Sequence, residues 1–85
     1  DWDPKAPIAQ FPLITVYHIQ EYGSHPFSNI GWPGFIGSLT GYSPLIGVGE
    51  RLRDWTSNRT SRFGKPWTFA LRDTMQFSTN IDNAV

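Results

Sequence analysis

Residues 29–51 read Asn-Ile-Gly-Trp-Pro-Gly-Phe-Ile-Gly-Ser-Leu-Thr-Gly-Tyr-Ser-Pro-Leu-Ile-Gly-Val-Gly-Glu-Arg and hold six of the chain's eight glycines. A glycine in a helix interior costs about 1 kcal/mol against alanine, so glycines this dense exclude a stable helix. Between them lie short apolar runs at Phe35 and Ile36, Leu39, Leu45 and Ile46, and Val48. The stretch is therefore expected to form two short strands joined by a turn at Gly41-Tyr42-Ser43-Pro44. A glycine inside a strand leaves room for close approach by other backbone or by a ligand. The stretch closes on a carboxylate, Glu50, just beyond the second expected strand.

At 85 residues, the chain buries less than about two-thirds of its unfolded surface. Four Trp, three Tyr and six Phe are a heavy aromatic load for so small a body and call for a partner surface. Seven basic and seven acidic residues leave no net charge. Neither a nucleic-acid footprint nor a polybasic membrane patch is present. The absence of cysteine excludes disulfides, thiolate metal sites and a thiol nucleophile within these residues. No apolar run approaches the length of a transmembrane segment. The first residues, Asp-Trp-Asp-Pro-Lys, are neither an initiator Met nor a signal peptide, so the chain is expected to be an internal piece of a longer product.

Taken in order, residues 1–12 carry Pro4, Pro7 and Pro12 and read as an extended lead-in. Residues 13–20, Leu-Ile-Thr-Val-Tyr-His-Ile-Gln, are β-branched and aromatic and read as a strand. Alternation places Leu13, Thr15, Tyr17 and Ile19 on one face and Ile14, Val16, His18 and Gln20 on the other. Apolar residues on both sides lead to the expectation that both faces are covered. Residues 21–26 make a turn, and a further strand starts at Phe27. Residues 13–53 are thus expected to supply strands, 54–65 a polar loop, and 66–85 helices. Pro66 suits a first helical position, and Trp67, Ala70, Leu71, Thr74 and Met75 recur at helical spacing. Thr79 with Asp82 resembles a capping box that opens a second helix.

Few residues carry chemistry by themselves. His18 and His25 have no Asp or Glu at ligand spacing, so no metal site and no cofactor is expected. The run Gly31, Gly34, Gly37 lacks the Lys-Ser/Thr ending of a phosphate cradle. Arg51, Arg53, Arg59 and Arg62 read as a solvated basic loop. Asn58-Arg59-Thr60 reads either as an acceptor pattern for an N-linked glycan or as an ordinary polar loop; a glycan is expected there if the protein passes through a secretory pathway, with a secreted or lysosomal location.

Three blocks in order carry a resemblance: Gly-Trp-Pro-Gly-Phe-Ile-Gly-Ser-Leu-Thr-Gly-Tyr-Ser-Pro, a strand ending Gly-Glu-Arg, and a helix with Phe69-Ala-Leu-Arg-Asp-Thr-Met-Gln-Phe. Over residues 27–85 the chain resembles the acid ceramidase and N-acylethanolamine acid amidase group of penicillin acyltransferase-like N-terminal-nucleophile hydrolases. The resemblance implies an α+β fold, a segment of an αββα sandwich with antiparallel strands followed by covering helices. It implies hydrolysis of a linear amide of the N-acyl lipid type, in a precursor cleaved by autoproteolytic processing. The cysteine nucleophile would lie outside this chain, on other chains or segments of the same precursor. Glu50 would support that nucleophile or a catalytic arginine through its charge, while Trp32 and Tyr42 would line the groove for the acyl chain. The alternative is a non-catalytic structural or interaction module, or an inactive relic.

Overall fold

The computed structural model describes residues 5–51 and 63–85. The first strand, β1 (Leu13–Tyr17), is the β-branched run expected, but it stops three residues short of Gln20. The reason lies in its partner. β2 (Phe27–Gly31) pairs antiparallel with β1, with Tyr17 opposite Phe27 and Leu13 opposite Gly31. Pro26 has no N–H to extend that ladder, so residues 18–20 have nothing to pair with. The chain instead turns at Glu21–Ser24, where Ser24 N–H donates to the Glu21 carbonyl at 3.1 Å and Gly23 takes a φ of 79°.

The glycine-rich stretch supplies two strands, β3 (Thr40–Tyr42) and β4 (Gly47–Gly49). They complete a four-stranded antiparallel sheet in the order β1-β2-β3-β4. The turn falls two residues later than expected, because Gly41 and Tyr42 belong to β3. It is closed by Ser43 N–H donating to the Ile46 carbonyl at 2.8 Å. Ser43 Oγ accepts the N–H groups of Leu45 and Ile46, both at 3.2 Å. A serine at the first turn position and a proline at the second are the residues such a turn favours. The lead-in also differs in part from the extended reading: Pro7–Gln10 form one 3₁₀ turn, which a proline at its start preorganises.

α1 (Trp67–Phe77) covers one face of the sheet, and Pro66 sits at its N-cap rather than inside it. Two glycines explain how the helix comes so close. A Cβ on Gly37 would stand 2.6 Å from the Thr68 side chain, and one on Gly41 would stand 2.9 Å from Met75 Sδ. Thr68 and Met75 are seven residues apart, two turns along one side of the helix. The close approach that the glycines allow is therefore helix against sheet. Ser38 N–H donates to the Thr68 carbonyl at 2.9 Å and fixes the start of α1. At its other end, Gln76 is buried and reaches Ser24 Oγ at 3.0 Å and Glu21 Oε2 at 3.3 Å.

No second helix follows among the described residues. Residues 78–85 form a turn in which Asn80 Oδ1 accepts the Asn83 N–H at 3.0 Å and Asn83 Oδ1 accepts the Asn80 N–H at 3.3 Å. This is the reciprocal arrangement of a capping box, one residue later than the Thr79–Asp82 pair. Asparagine serves at both ends because its short amide both donates and accepts.

The register sorts the sheet into two faces. Tyr17 and Phe27 share one, with the row Thr15, Asn29, Gly41 and Val48, and this face lies under α1. The opposite face carries the rows Val16, Ser28, Tyr42 and Ile14, Ile30, Thr40. It is open: Ile14 is 66% exposed, Val16 56% and Tyr42 58%. The expectation that both faces are covered is corrected here, since the one described helix lies on the other side. Among the described residues only Phe27 and Met75 are fully buried apolar side chains. A core of two such residues supplies little against the ordering entropy of the chain. Residues 1–85 expressed alone should accordingly unfold without a cooperative transition in denaturant, and a sigmoidal transition worth several kcal/mol would refute this.

Candidate functional site

The row Val16–Ser28–Tyr42 forms a cavity on the open face. Val16 lies opposite Ser28, and Ser28 lies opposite Tyr42, so three side chains stand in line across three strands. The middle one is small. Val16 and Tyr42 rise on either side of Ser28, and Pro26, Ser43 and Pro44 close the end. The result is an open groove of about 200 Å³ with almost wholly apolar walls. Ser28 is itself buried as the floor. Such a groove suits a narrow apolar chain better than a charged ligand, because no ionisable group other than the Tyr42 phenol lines it.

The residues singled out from sequence are not gathered in one place. Tyr42 lines the groove. Trp32 does not: it stands half-buried beyond the end of β2, where its carbonyl accepts the Phe35 N–H at 3.2 Å. Glu50 follows β4, with its backbone N–H donating to the Leu39 carbonyl at 2.9 Å, and its side chain is exposed away from the groove. Asn58, Arg53, Arg59 and Arg62 lie outside the described residues. Among the described residues no three His, Cys, Asp or Glu side chains gather as a metal site, and no helix is long and apolar enough to cross a membrane.

Other positions went unrecognised in the sequence. Ser28 looks like any strand serine until its cross-strand neighbours are known. Arg72 looks like a surface helix residue, yet its guanidinium carbon lies 5.5 Å from the centroid of the Tyr17 ring. Tyr17 in turn stacks on Phe27, with centroids 4.8 Å apart. The signal that could have found this chain of contacts is the pairing of Tyr17 with Phe27, and it needs the register.

Two proteins of Dictyostelium discoideum are similar to this chain. Protein dcd1A is 36% identical over 89 residues, covering 99% of this chain and 20% of dcd1A. Protein dcd1B is 41% identical over 87 residues, covering 100% of this chain and 17% of dcd1B. The chain thus spans about a fifth of the length of the curated relatives it matches. No family model matches the chain, and no solved structure matches it.

These findings overturn the resemblance drawn from the sequence. The relatives found are dcd1A and dcd1B, not acid ceramidase, N-acylethanolamine acid amidase or penicillin acyltransferase-like hydrolases. The blocks that suggested it have a structural reason of their own. Gly37 and Gly41 make room for α1, and Ser43-Pro44 makes the β3–β4 turn. Their order and spacing describe a hairpin with a helix laid on it, and that geometry carries no chemistry by itself.

Proposed function

We propose that this chain is the acyl-binding part of a hydrolase that cleaves a linear amide of the N-acyl lipid type, the nucleophile lying outside these residues. The observation that carries the reading is the apolar groove built on Val16, Ser28 and Tyr42. A linear acyl chain is narrow and apolar, and burying it there gains about 0.8 kcal/mol for each CH₂ taken from water. The nucleophile is placed elsewhere because the chain has no cysteine. In addition, no Ser or Thr hydroxyl among the described residues is hydrogen-bonded to a histidine, as an activated one requires. In this reading Glu50, exposed after β4, acts through its charge on groups that another segment brings to it. A second sheet over the open face would roof the groove and make a sandwich. A glycan at Asn58 and a secreted or lysosomal location belong to the same proposal.

A second reading is an interaction module, favoured by Ile14 and Ile30. They stand exposed beyond the groove on the same face, and an apolar patch of this kind marks an interface.

Ser28→Leu and Glu50→Gln, made in the protein as the cell produces it, separate the two. Assayed on N-acyl amides of increasing chain length, Ser28→Leu should raise KM about tenfold for long chains. Tenfold corresponds to about 1.4 kcal/mol, roughly two buried CH₂ groups. It should leave kcat unchanged, as the loss of uniform binding does. Glu50→Gln should lower kcat at least about tenfold with no change in thermal stability. Chain-length dependence that is identical in Ser28→Leu and wild type would leave the interaction module standing.

A further inference from the structure

The two edges of the described sheet differ in how well they are guarded. β1 stands at one edge and β4 at the other, so alternate backbone N–H and C=O groups of each strand point outward. β4 is three residues long, two of them glycine, and exposed Glu50 and Arg51 follow it. Short length, glycine and charge all discourage an edge from pairing. β1 has none of these. Its five residues, Leu-Ile-Thr-Val-Tyr, include no charge, no proline and no glycine. Its register against β2 is unbroken from Leu13 to Tyr17, so no bulge twists the edge away. Leu13, Ile14 and Val16 stand exposed along it, and β-branched and aromatic side chains suit a pleated sheet.

An added strand would find apolar neighbours on both sides of the sheet plane. Ile14 and Val16 lie on the open face, and Leu13, Thr15 and Tyr17 on the helix side. Backbone bonds would supply the affinity, and these cross-strand neighbours the selectivity. The size of the edge decides which source the strand has. Five residues span about 17 Å, and pairing along them falls short of the roughly 1,200 Å² that separate molecules bury in a specific interface. A strand tethered in the same polypeptide needs no such area, because the tether holds it at a high effective concentration. The matched region is about a fifth of dcd1A and of dcd1B, so each of them carries most of its length elsewhere.

We propose that the outer edge of β1 takes a further β-strand of the same polypeptide, from outside residues 1–85, with apolar side chains at alternate positions. The strand extends the described sheet sideways, from four strands to five. It does not roof the groove, and it does not depend on the hydrolase reading.

Hydrogen exchange resolved to single amides, in the protein as the cell produces it, tests the pairing. All five amides from Leu13 to Tyr17 should be protected, the outward ones by at least about a hundredfold over an exposed amide. A bare edge gives alternation, with every second amide exchanging as an exposed one does, and that pattern would refute the proposal. Photo-crosslinking reads the source of the strand. Photo-leucine, a diazirine isostere of leucine, at Leu13 should crosslink to a segment of the same polypeptide outside residues 1–85, without raising its mass on a denaturing gel. Crosslinks confined to residues 1–85 would mean that this chain covers its own edge. Crosslinked material of raised mass would mean a second copy or another protein. Either of these, or protected amides with no crosslink from Leu13, overturns the proposal.

Discussion

Gly41→Ala should be the most damaging single-methyl change in this chain. A Cβ at that position would lie 2.1 Å from the Ser28 carbonyl oxygen, as well as 2.9 Å from Met75 Sδ. The thioether can rotate away, because Met is unbranched and adaptable. The carbonyl cannot, since it belongs to β2 in the β2–β3 ladder. The methyl therefore forces two central strands apart and lifts α1 from the sheet. Overpacking of side chains costs about 1–3 kcal/mol, and a clash with ladder backbone should reach about 3 kcal/mol or more, at the upper end of that range. Thermal and denaturant unfolding of the protein as the cell makes it would show this as a large fall in midpoint. Gly64→Ala is the control: its Cβ would meet nothing within 4 Å, so the effect should stay within about 0.5 kcal/mol. Shrinking the helix residue by adding Met75→Ala should not rescue Gly41→Ala, because the obstructing atom is backbone. Equal stability of Gly41→Ala and Gly64→Ala would refute the packing described here.

Phe27→Ala should cost about 3–5 kcal/mol, the range for truncating a buried Phe. Phe27 is 2% exposed, and it supports more than its own volume. Tyr17 stacks on it, and Arg72 lies on Tyr17, so its loss also loosens the arginine. With Met75 the only other fully buried apolar side chain among the described residues, there is little around it to collapse into the space. Phe27→Leu, which keeps an apolar filling but not the stack, should cost less than Phe27→Ala. The cost of Phe27→Leu against the unaltered protein contains the aromatic pair, worth about 0.5–1.5 kcal/mol beyond buried area. Unfolding midpoints of Phe27→Leu and the unaltered protein give the answer, and near-identical midpoints would show that the stack contributes nothing.

Much of the local structure was legible because it depends on neighbours in sequence. Five residues of the run at 13–20 form β1 because β-branched and aromatic side chains suit a pleated surface. The Ser43-Pro44 pair makes its turn through the hydroxyl and the fixed φ of the two residues themselves. α1 appears where the helical spacing places it. The misplaced boundaries have non-local causes: β1 ends where Pro26 denies it a partner, and the turn slips because Gly41 and Tyr42 are paired with Asn29 and Ser28.

The site was far less legible. Tyr42 could be picked as a groove-lining candidate, but Ser28, which makes the groove by being small, could not. A serine's smallness matters only beside Val16 and Tyr42, and those come from other strands. Glu50 and Trp32 were chosen through the block pattern around them, and neither lines the groove.

By itself the sequence determined that this chain has no thiol chemistry, no helix through residues 29–51, and several backbone positions where something must approach closely. Those conclusions follow from the residues alone: absent cysteines, and glycines whose missing Cβ is a property of the residue. Only the tertiary structure decided what approaches. It laid α1 on Gly37 and Gly41, covered the Tyr17–Asn29 face and left the Ile14–Val16 face open. Alternation could name the two faces but not choose between them, because both carry apolar residues. The choice rests on a contact between residues some thirty positions apart, and such a contact exists only once the chain has folded.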